Sequence, residues 1–388
     1  MRRSEYIGLA ERLLEHEANN TTDSAEDTYT VPVADYLDEA RWNNEMEAIF
    51  KRLPLMLAYT DELREPGSYK TIEAVGVPVL ITRGKDGMVH AFLNVCSHRG
   101  AAVVTDECGT ASRFMCPYHG WTFNDQGALI GVADKHKFGE VDTEAKGLKE
   151  LACEERGGLI FVVLTPGVPM DIEAHLGGML DEIESLGIEN WHIYKQVELP
   201  GANWKVCYDG YLEGYHFATL HTNTIFTFSA NNIMAYDSYG PHQRIGFPHH
   251  NLGELRTKPQ EEWETGEGMS VIRTLFPHVS MAGSDQGGLI SQLIPGPTPE
   301  QSRTIQTYIY AMQPSTDEER AAMDASVEMT VGAVRDEDYA TGFGIQKGMS
   351  TGANEEFTFG KNELGLHKFH QWVNFYAEGK PESERPNP

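Results

Sequence analysis

Cysteine is scarce in this chain, and basic residues are outnumbered. The 388 residues include five cysteines, Cys96, Cys108, Cys116, Cys153 and Cys207. Five is odd, the spacing is sparse and the first residues do not read as a secretory leader, which argues against a disulfide framework. Lysine and arginine total 31 against 58 aspartates and glutamates, a formal charge of −27. A surface of that sign repels nucleic acid and anionic membrane, so neither is expected as a partner; it favours solubility and would draw a basic protein. Long hydrophobic runs are missing too, with no apolar stretch of membrane-spanning length. The opening MRRSEYIGLAERLLEHE turns acidic and amphipathic too early for a signal peptide. A cytoplasmic, reducing location is therefore expected, in which free thiolates remain available as metal ligands.

The length suits two domains, and 40% hydrophobic with 10% aromatic residues is enough for large cores. Residues 4–18 read as a helix with Ser4 as N-cap and Ile7, Leu9, Leu13 and Leu14 near one face, and residues 35–52 also read as helical. From about Lys70 short β-rich runs follow one another between Gly and Asp turns (VGVPVLITR, VHAFLNVC, SRFMCPYHGWTF, GGLIFVVLT), with a domain exit at Thr165-Pro166-Gly167. The second half mixes types: helix over 173–186, strand at HIYKQVEL, helix within 203–222, strands at GGLISQLIP and TIQTYIYAM. Ser315-Thr316-Asp317-Glu318 reads as a capping box opening a long helix. The expected division is 1–52 for N-terminal helices packing on the catalytic domain, 53–166 for the β-rich domain and 167–388 for the catalytic domain.

Within the β-rich half stand Cys96-Ser97-His98 and Cys116-Pro117-Tyr118-His119. Each places one thiolate and one imidazole close together at a strand end, so two hairpin tips could clamp one binuclear centre. Two Cys on one iron and two His on the other is the ligand set of a Rieske [2Fe–2S] cluster. Structural zinc also takes two Cys and two His, but its ligands usually pair Cys with Cys and His with His, whereas here the types alternate. Gly100 and Gly120 would allow close backbone approach. Trp121 reads as an apolar shield over the cluster, a role compatible with being a plain core residue. Cys108, Cys153 and Cys207 have no ligand-type partner at useful spacing and read as non-ligands.

A second dense stretch runs Asn203-Trp204-Lys205, Asp209-Gly210-Tyr211-Leu212-Glu213-Gly214-Tyr215-His216, then His221. Two His and one carboxylate with open positions form the facial triad of non-haem Fe(II) oxygenases. His216 and His221 are five apart, off one another's face on an ideal helix, so joint ligation needs a π-bulge or a helix end between them. Glu213, three before His216, would share its face on a helix. A third ligand is needed from elsewhere, and the run Asp336-Glu337-Asp338 offers one, although such a run also reads as a solvated face.

These motifs together resemble the Rieske-type ring-hydroxylating oxygenase alpha (terminal oxygenase) subunits, over nearly the whole chain and in the same order. The resemblance implies an α+β architecture: an all-β Rieske domain inserted before a helix-grip catalytic domain, with an antiparallel sheet and a long C-terminal helix. It implies cluster ligation by Cys96, His98, Cys116 and His119, and mononuclear iron ligation by His216, His221 and, through a Glu-Asp-x7-Gln pattern matched by Glu337-Asp338 to Gln346, Asp338. It implies a homotrimer in which Glu213 bridges His119 of one copy to His216 of the next; many members carry Asp there, and Glu occurs notably among quaternary-amine oxygenases and some aromatic-acid ones. Asp209-Gly210 departs from the commoner Glu-Asn. Electrons would come from NAD(P)H through a reductase, with or without a ferredoxin, and O2 would be spent on hydroxylation or cis-dihydroxylation of an aromatic substrate, the commoner case. The alternatives are O- or N-demethylation, as of a quaternary amine, a non-catalytic Rieske electron carrier, and a ligand-binding helix-grip protein. Phe217, Phe226, Phe228, Leu289 and Ile290 are candidate pocket residues.

Overall fold

The computed structural model describes residues 1–387. Its α-helices are α1 (Arg3–Asn19), α2 (Ala34–Leu37), α3 (Glu39–Glu45), α4 (Lys135–Phe138), α5 (Ile172–Leu176), α6 (Gly178–Glu184), α7 (Trp204–Asp209), α8 (Phe217–Leu220), α9 (Asp317–Gly332), α10 (Tyr339–Met349) and α11 (Leu364–Ala377). The chain divides into two compact units. One is assembled from Met1–Ile49, Leu176–Gly187 and everything from Trp191 onward; the other is Phe50–His175 with Ile188–Asn190.

The second unit is built of antiparallel strands. A five-stranded sheet runs in the order 150–151, 89–93, 77–83, 68–74, 108–110; a three-stranded sheet joins 153–156, 159–162 and 55–59; a second three-stranded sheet joins 113–115, 122–124 and 129–131. Val79, Leu80 and Ile81, consecutive and all buried, explain why the run around them reads as nearly continuous apolar sequence rather than as alternation. Tyr69, Leu80, Phe92, Phe114, Trp121, Phe123 and Leu129 make one core cluster, and Cys96 and Cys116 belong to it.

The larger unit is organised by a seven-stranded antiparallel sheet in the order 192–201, 302–310, 287–295, 279–284, 269–275, 242–248, 235–239. Strand 287–295 pairs with 302–310 over its full length, Gly287 opposite Tyr310 through Pro295 opposite Ser302. The edge strand 192–201 is exposed at half of its positions, among them Lys195 and Glu198, charges that discourage pairing with another sheet. Helix α1 presents Tyr6, Leu9, Ala10, Leu13 and Leu14, spaced three and four apart, to Ala235, Leu252, Leu255, Trp263 and Val271. Helix α7 packs on strand 287–295, and α10 on α7 and strand 192–201. The expected α+β class, with an all-β domain and an antiparallel-sheet domain, is what the structure has.

Several element boundaries differ from expectation. Arg2, not Ser4, is the N-cap of α1. The helical span 35–52 is broken because Asp38 leaves α2 in an extended conformation and caps α3 by accepting from Arg41 N at 2.6 Å. The capping box is shifted by one residue, with Thr316 and Glu319 exchanging the hydrogen bonds. The long C-terminal helix is two helices, α9 and α10, joined by a π-helical turn over Ala333–Asp338, and α11 follows a further strand, 356–359. No helix among the described residues is long and apolar enough to cross a membrane.

Candidate functional site: two metal centres

Cys96 lies in the loop after strand 89–93, and Cys116 follows strand 113–115. The two loops repeat one design. Gly100 N donates to Cys96 O at 2.9 Å and Gly120 N to Cys116 O at 3.0 Å. Cys96 N donates to Ala101 O and Cys116 N to Trp121 O, both at 2.8 Å. Gly100 and Gly120, at φ 79° and 69°, take the left-handed conformation that closes each turn. The sulfur of Cys96 faces the backbone N–H groups of His98 and Arg99 and the thiol of Cys116. Burial pushes the Cys96 thiol up, while those N–H groups pull it down. Both cysteines are buried, whereas His98 is half-buried and His119 exposed. The imidazoles meet at 4.7 Å between centroids, and Trp121 stacks on His98 at 4.8 Å and 9°. Burial, with His119 and Arg99 beside it, holds His98 below the ordinary histidine value, which favours the neutral ring that a metal requires. Four donors of the right types, thiols inward and imidazoles outward, fit a binuclear iron–sulfur cluster.

In the larger unit, His216 and His221 sit at the N-cap and C-cap of α8, a helix of four residues. A helix end, one of the two ways for residues five apart to converge, is thus what occurs, and the rings meet at 4.9 Å. The π-turn provides the remaining carboxylate. Its wider winding carries Asp336 outward to pair with Arg335 on the surface, while Glu337 and Asp338 both turn inward. His216, His221 and Asp338 each offer a ligand atom, all within 4.8 Å of one another. Nε2 of His221 lies 3.0 Å, and Nε2 of His216 3.7 Å, from Asp338 Oδ1. The opposite ring nitrogens are held too. Nδ1 of His216 meets Glu213 Oε1, and Nδ1 of His221 meets Glu337 Oε2 at 2.5 Å, an oxygen that also accepts from Thr224 Oγ1 at 2.6 Å. A ring whose Nδ1 proton is held by a carboxylate presents a lone pair at Nε2, so both imidazoles are set to ligate toward Asp338. Burial opposes charging His221, yet Asp338 and then Glu337 outweigh it and raise its pKa. Such a concentration of negative charge around two rings fits a divalent cation.

Glu213 is not on a helix. It lies in the loop between α7 and α8, where its carboxylate also accepts from the backbone N–H of Tyr215 and, at 3.3 Å, of His216. Glu213, His216 and Asp338 share the wall of an open cavity of about 360 Å³ with Asp209, Phe357 and Glu363. Phe217, Phe226, Phe228, Leu289 and Ile290 do not line it. Phe217 packs edge-on against His216 at 5.1 Å, while Leu289 and Ile290 border a separate small cavity beside Trp191 and Arg273. Glu337 and Thr224, not singled out in the sequence as partners of His221, are the residues that hold it; the adjacency of Glu337 to Asp338 was the only available signal. Gln346 accepts from Asn203 N at 3.0 Å, and Asn203 in turn caps α7. The N-terminal segment joins the same region: Glu45, fully buried, pairs with buried Lys205 and accepts from Trp204 Nε1 at 3.0 Å.

Comparison with known proteins agrees with this layout. Residues 54–146 match the Rieske [2Fe-2S] domain, and residues 188–379 match the ring hydroxylating alpha subunit (catalytic domain). The glycine betaine monooxygenase oxygenase subunit of Pseudomonas aeruginosa is 31% identical over 205 residues, 53% of this chain and 47% of that protein. The carnitine monooxygenase oxygenase subunit of Escherichia coli is 28% identical over 199 residues, 50% and 53% of the two. The chain thus spans about half the length of the curated relatives it matches. The structure of the quaternary ammonium Rieske monooxygenase CntA with L-carnitine superposes with a TM-score of 0.76 at 21% identity, covering 91% of this chain and 96% of that one. Naphthalene 1,2-dioxygenase from Rhodococcus gives 0.73 at 19%, covering 97% and 99%, and both establish the fold. With the two family models matched in order along it, this chain belongs to the Rieske-type ring-hydroxylating oxygenase alpha subunits.

Proposed function

We propose that this protein is the terminal oxygenase of a multicomponent system and that it hydroxylates a carbon bonded to the nitrogen of a quaternary amine. The observation that carries the reading is Glu213, a glutamate where many family members have aspartate, in contact with His216 and open to a cavity. The relatives named for glycine betaine and carnitine support a quaternary amine in place of the aromatic substrate expected from the family at large. A formal charge of −27 further favours the approach of a cation.

In this reading Cys96, His98, Cys116 and His119 would hold the [2Fe–2S] cluster, and His216, His221 and Asp338 the Fe(II). When bound, these centres supply one-electron storage and reductive O2 activation, with electrons from NAD(P)H through a reductase. The chain's own residues do the rest. Glu213 keeps the Nδ1 proton of His216, Glu337 with Thr224 keeps that of His221, and Phe217 shields the His216 ring from water. Glu213, at the cavity wall, would bridge His216 to His119 of a second copy in a homotrimer. Trp121 covers one face of the His98 ring.

Iron and acid-labile sulfide should come to about three and two per chain of anaerobically purified protein. With a reductase and NAD(P)H, O2 uptake should rise with glycine betaine, carnitine or choline and not with naphthalene. Uptake driven by the aromatic alone would sink the amine reading, and two irons with no O2 uptake after added Fe(II) would point to an electron carrier.

A further inference from the structure

Beside the loop that carries Glu213 lies a buried polar cluster that the function above does not use. Asp209 ends α7 and forms part of the cavity wall. Its Oδ2 accepts from the Tyr36 hydroxyl at 2.8 Å, and its Oδ1 lies 2.9 Å from Nε2 of His370. The hydroxyl and that same Nε2 are 3.1 Å apart. Tyr36 and His370 are 1% and 2% exposed, and they come from α2 and α11, at opposite ends of the sequence. Phe359 stacks on His370 at 5.3 Å, and Phe357 sits edge-on to Tyr36 at 5.4 Å. Burial, with Asp209 beside it, pushes the Tyr36 hydroxyl well above its ordinary value, so it stays protonated and remains a donor.

A carboxylate at the C-terminal end of a helix faces the unfavourable end of the peptide dipoles, and a partly buried one needs hydrogen-bond partners. Asp209 has both oxygens engaged. The loop that follows leaves directly from this anchor, with Tyr211 N donating to Tyr208 O at 3.0 Å and Leu212 N to Asp209 O at 3.1 Å. Helix α11 touches the loop a second time: Gly365 lies so close to it that a Cβ there would run into the Leu212 carbonyl oxygen. The loop is thus held at its root through His370 and at its middle through Gly365, immediately before Glu213.

We propose that Asp209, clamped by Tyr36 and His370, is a positioning residue for electron transfer, fixing the loop that aims the Glu213 carboxylate at His216. This rests on the reading of Glu213 as the bridge between copies. Asp209 itself touches neither ring of the triad; it acts through the loop.

The test uses full-length Asp209→Asn, His370→Asn and Tyr36→Phe, the last deleting only a hydroxyl and so keeping the fold. In protein freed of mononuclear iron, hydrogen exchange at residues 210–216 should quicken about tenfold in Asp209→Asn, with the cluster unit unchanged. In iron-loaded protein, reoxidation of the reduced cluster, followed by its visible absorbance with glycine betaine and O2, should slow about tenfold, less in Tyr36→Phe. Asp209→Glu should recover part of the rate. Parental exchange in all three variants, or parental reoxidation despite faster exchange, overturns the proposal. Glu213→Gln run alongside separates the two readings: if it is slow while Asp209→Asn is parental, this inference alone fails; if it is parental, the bridge itself fails.

Discussion

At His221 two carboxylates one residue apart in sequence take the two nitrogens of one ring, Glu337 at Nδ1 and Asp338 at Nε2. Asp338 is the candidate ligand, and Glu337 fixes the orientation of the His221 ring. Replacing Glu337 by Gln keeps an acceptor but removes the charge, so the dissociation constant for Co(II) or Fe(II) should rise about tenfold, and closer to a hundredfold for Glu337→Ala. Anaerobic titration of protein lacking mononuclear metal, with the cluster absorbance as an internal control, measures this directly. Unchanged affinity would reduce Glu337 to a partner of Thr224 alone.

The π-turn over Ala333–Asp338 is the element that turns both carboxylates inward. In an unbroken α-helix consecutive side chains point about 100° apart, and the two could not address the same imidazole so closely. Deleting Asp336, whose side chain only pairs with Arg335 on the surface, should restore α-helical winding and rotate Asp338 away from His221. Expected are full helical circular dichroism, an unchanged cluster spectrum and loss of the mononuclear iron; retained iron would show that the turn is dispensable. This element also marks how far the sequence could be read. Cys96, His98, Cys116 and His119 stood out because each loop carries its donors within four residues and closes on its own glycine, a local property. His216 and His221 were legible as a pair, but only geometry could choose between a π-bulge and a helix end. Which members of Asp336-Glu337-Asp338 face inward depends on winding that no propensity encodes. Tyr36, Asp209 and His370 could not be grouped at all, because burial assembles them from three distant segments. The break after α2 was the opposite case: Asp38 is a strong N-cap that helical periodicity alone overrode.

For the whole molecule, the proposed wiring runs between copies rather than within one. Two crippled chains test it. His119→Ala would remove a proposed cluster ligand, and His216→Ala a proposed ligand of the mononuclear site. Each alone should be inactive. Co-expressed at equal levels in mixed homotrimers, they should recover about a quarter of parental O2 uptake, since half the intact iron sites would then face a neighbour with an intact cluster. If electrons stayed within one chain, the mixture would be as dead as its parts. The division of the chain bears on how such a protein is made. The cluster-bearing unit is contiguous from Phe50 to His175 apart from Ile188–Asn190, whereas the other unit needs Tyr36 and Glu45 from the start, strands after Trp191, and α11 near the end. During vectorial synthesis the cluster unit leaves the ribosome nearly whole while the early segment still waits for its partners. The order of emergence therefore lets the cluster unit fold before α11, which adds Leu366 to the wall of the cavity beside His216, has been made.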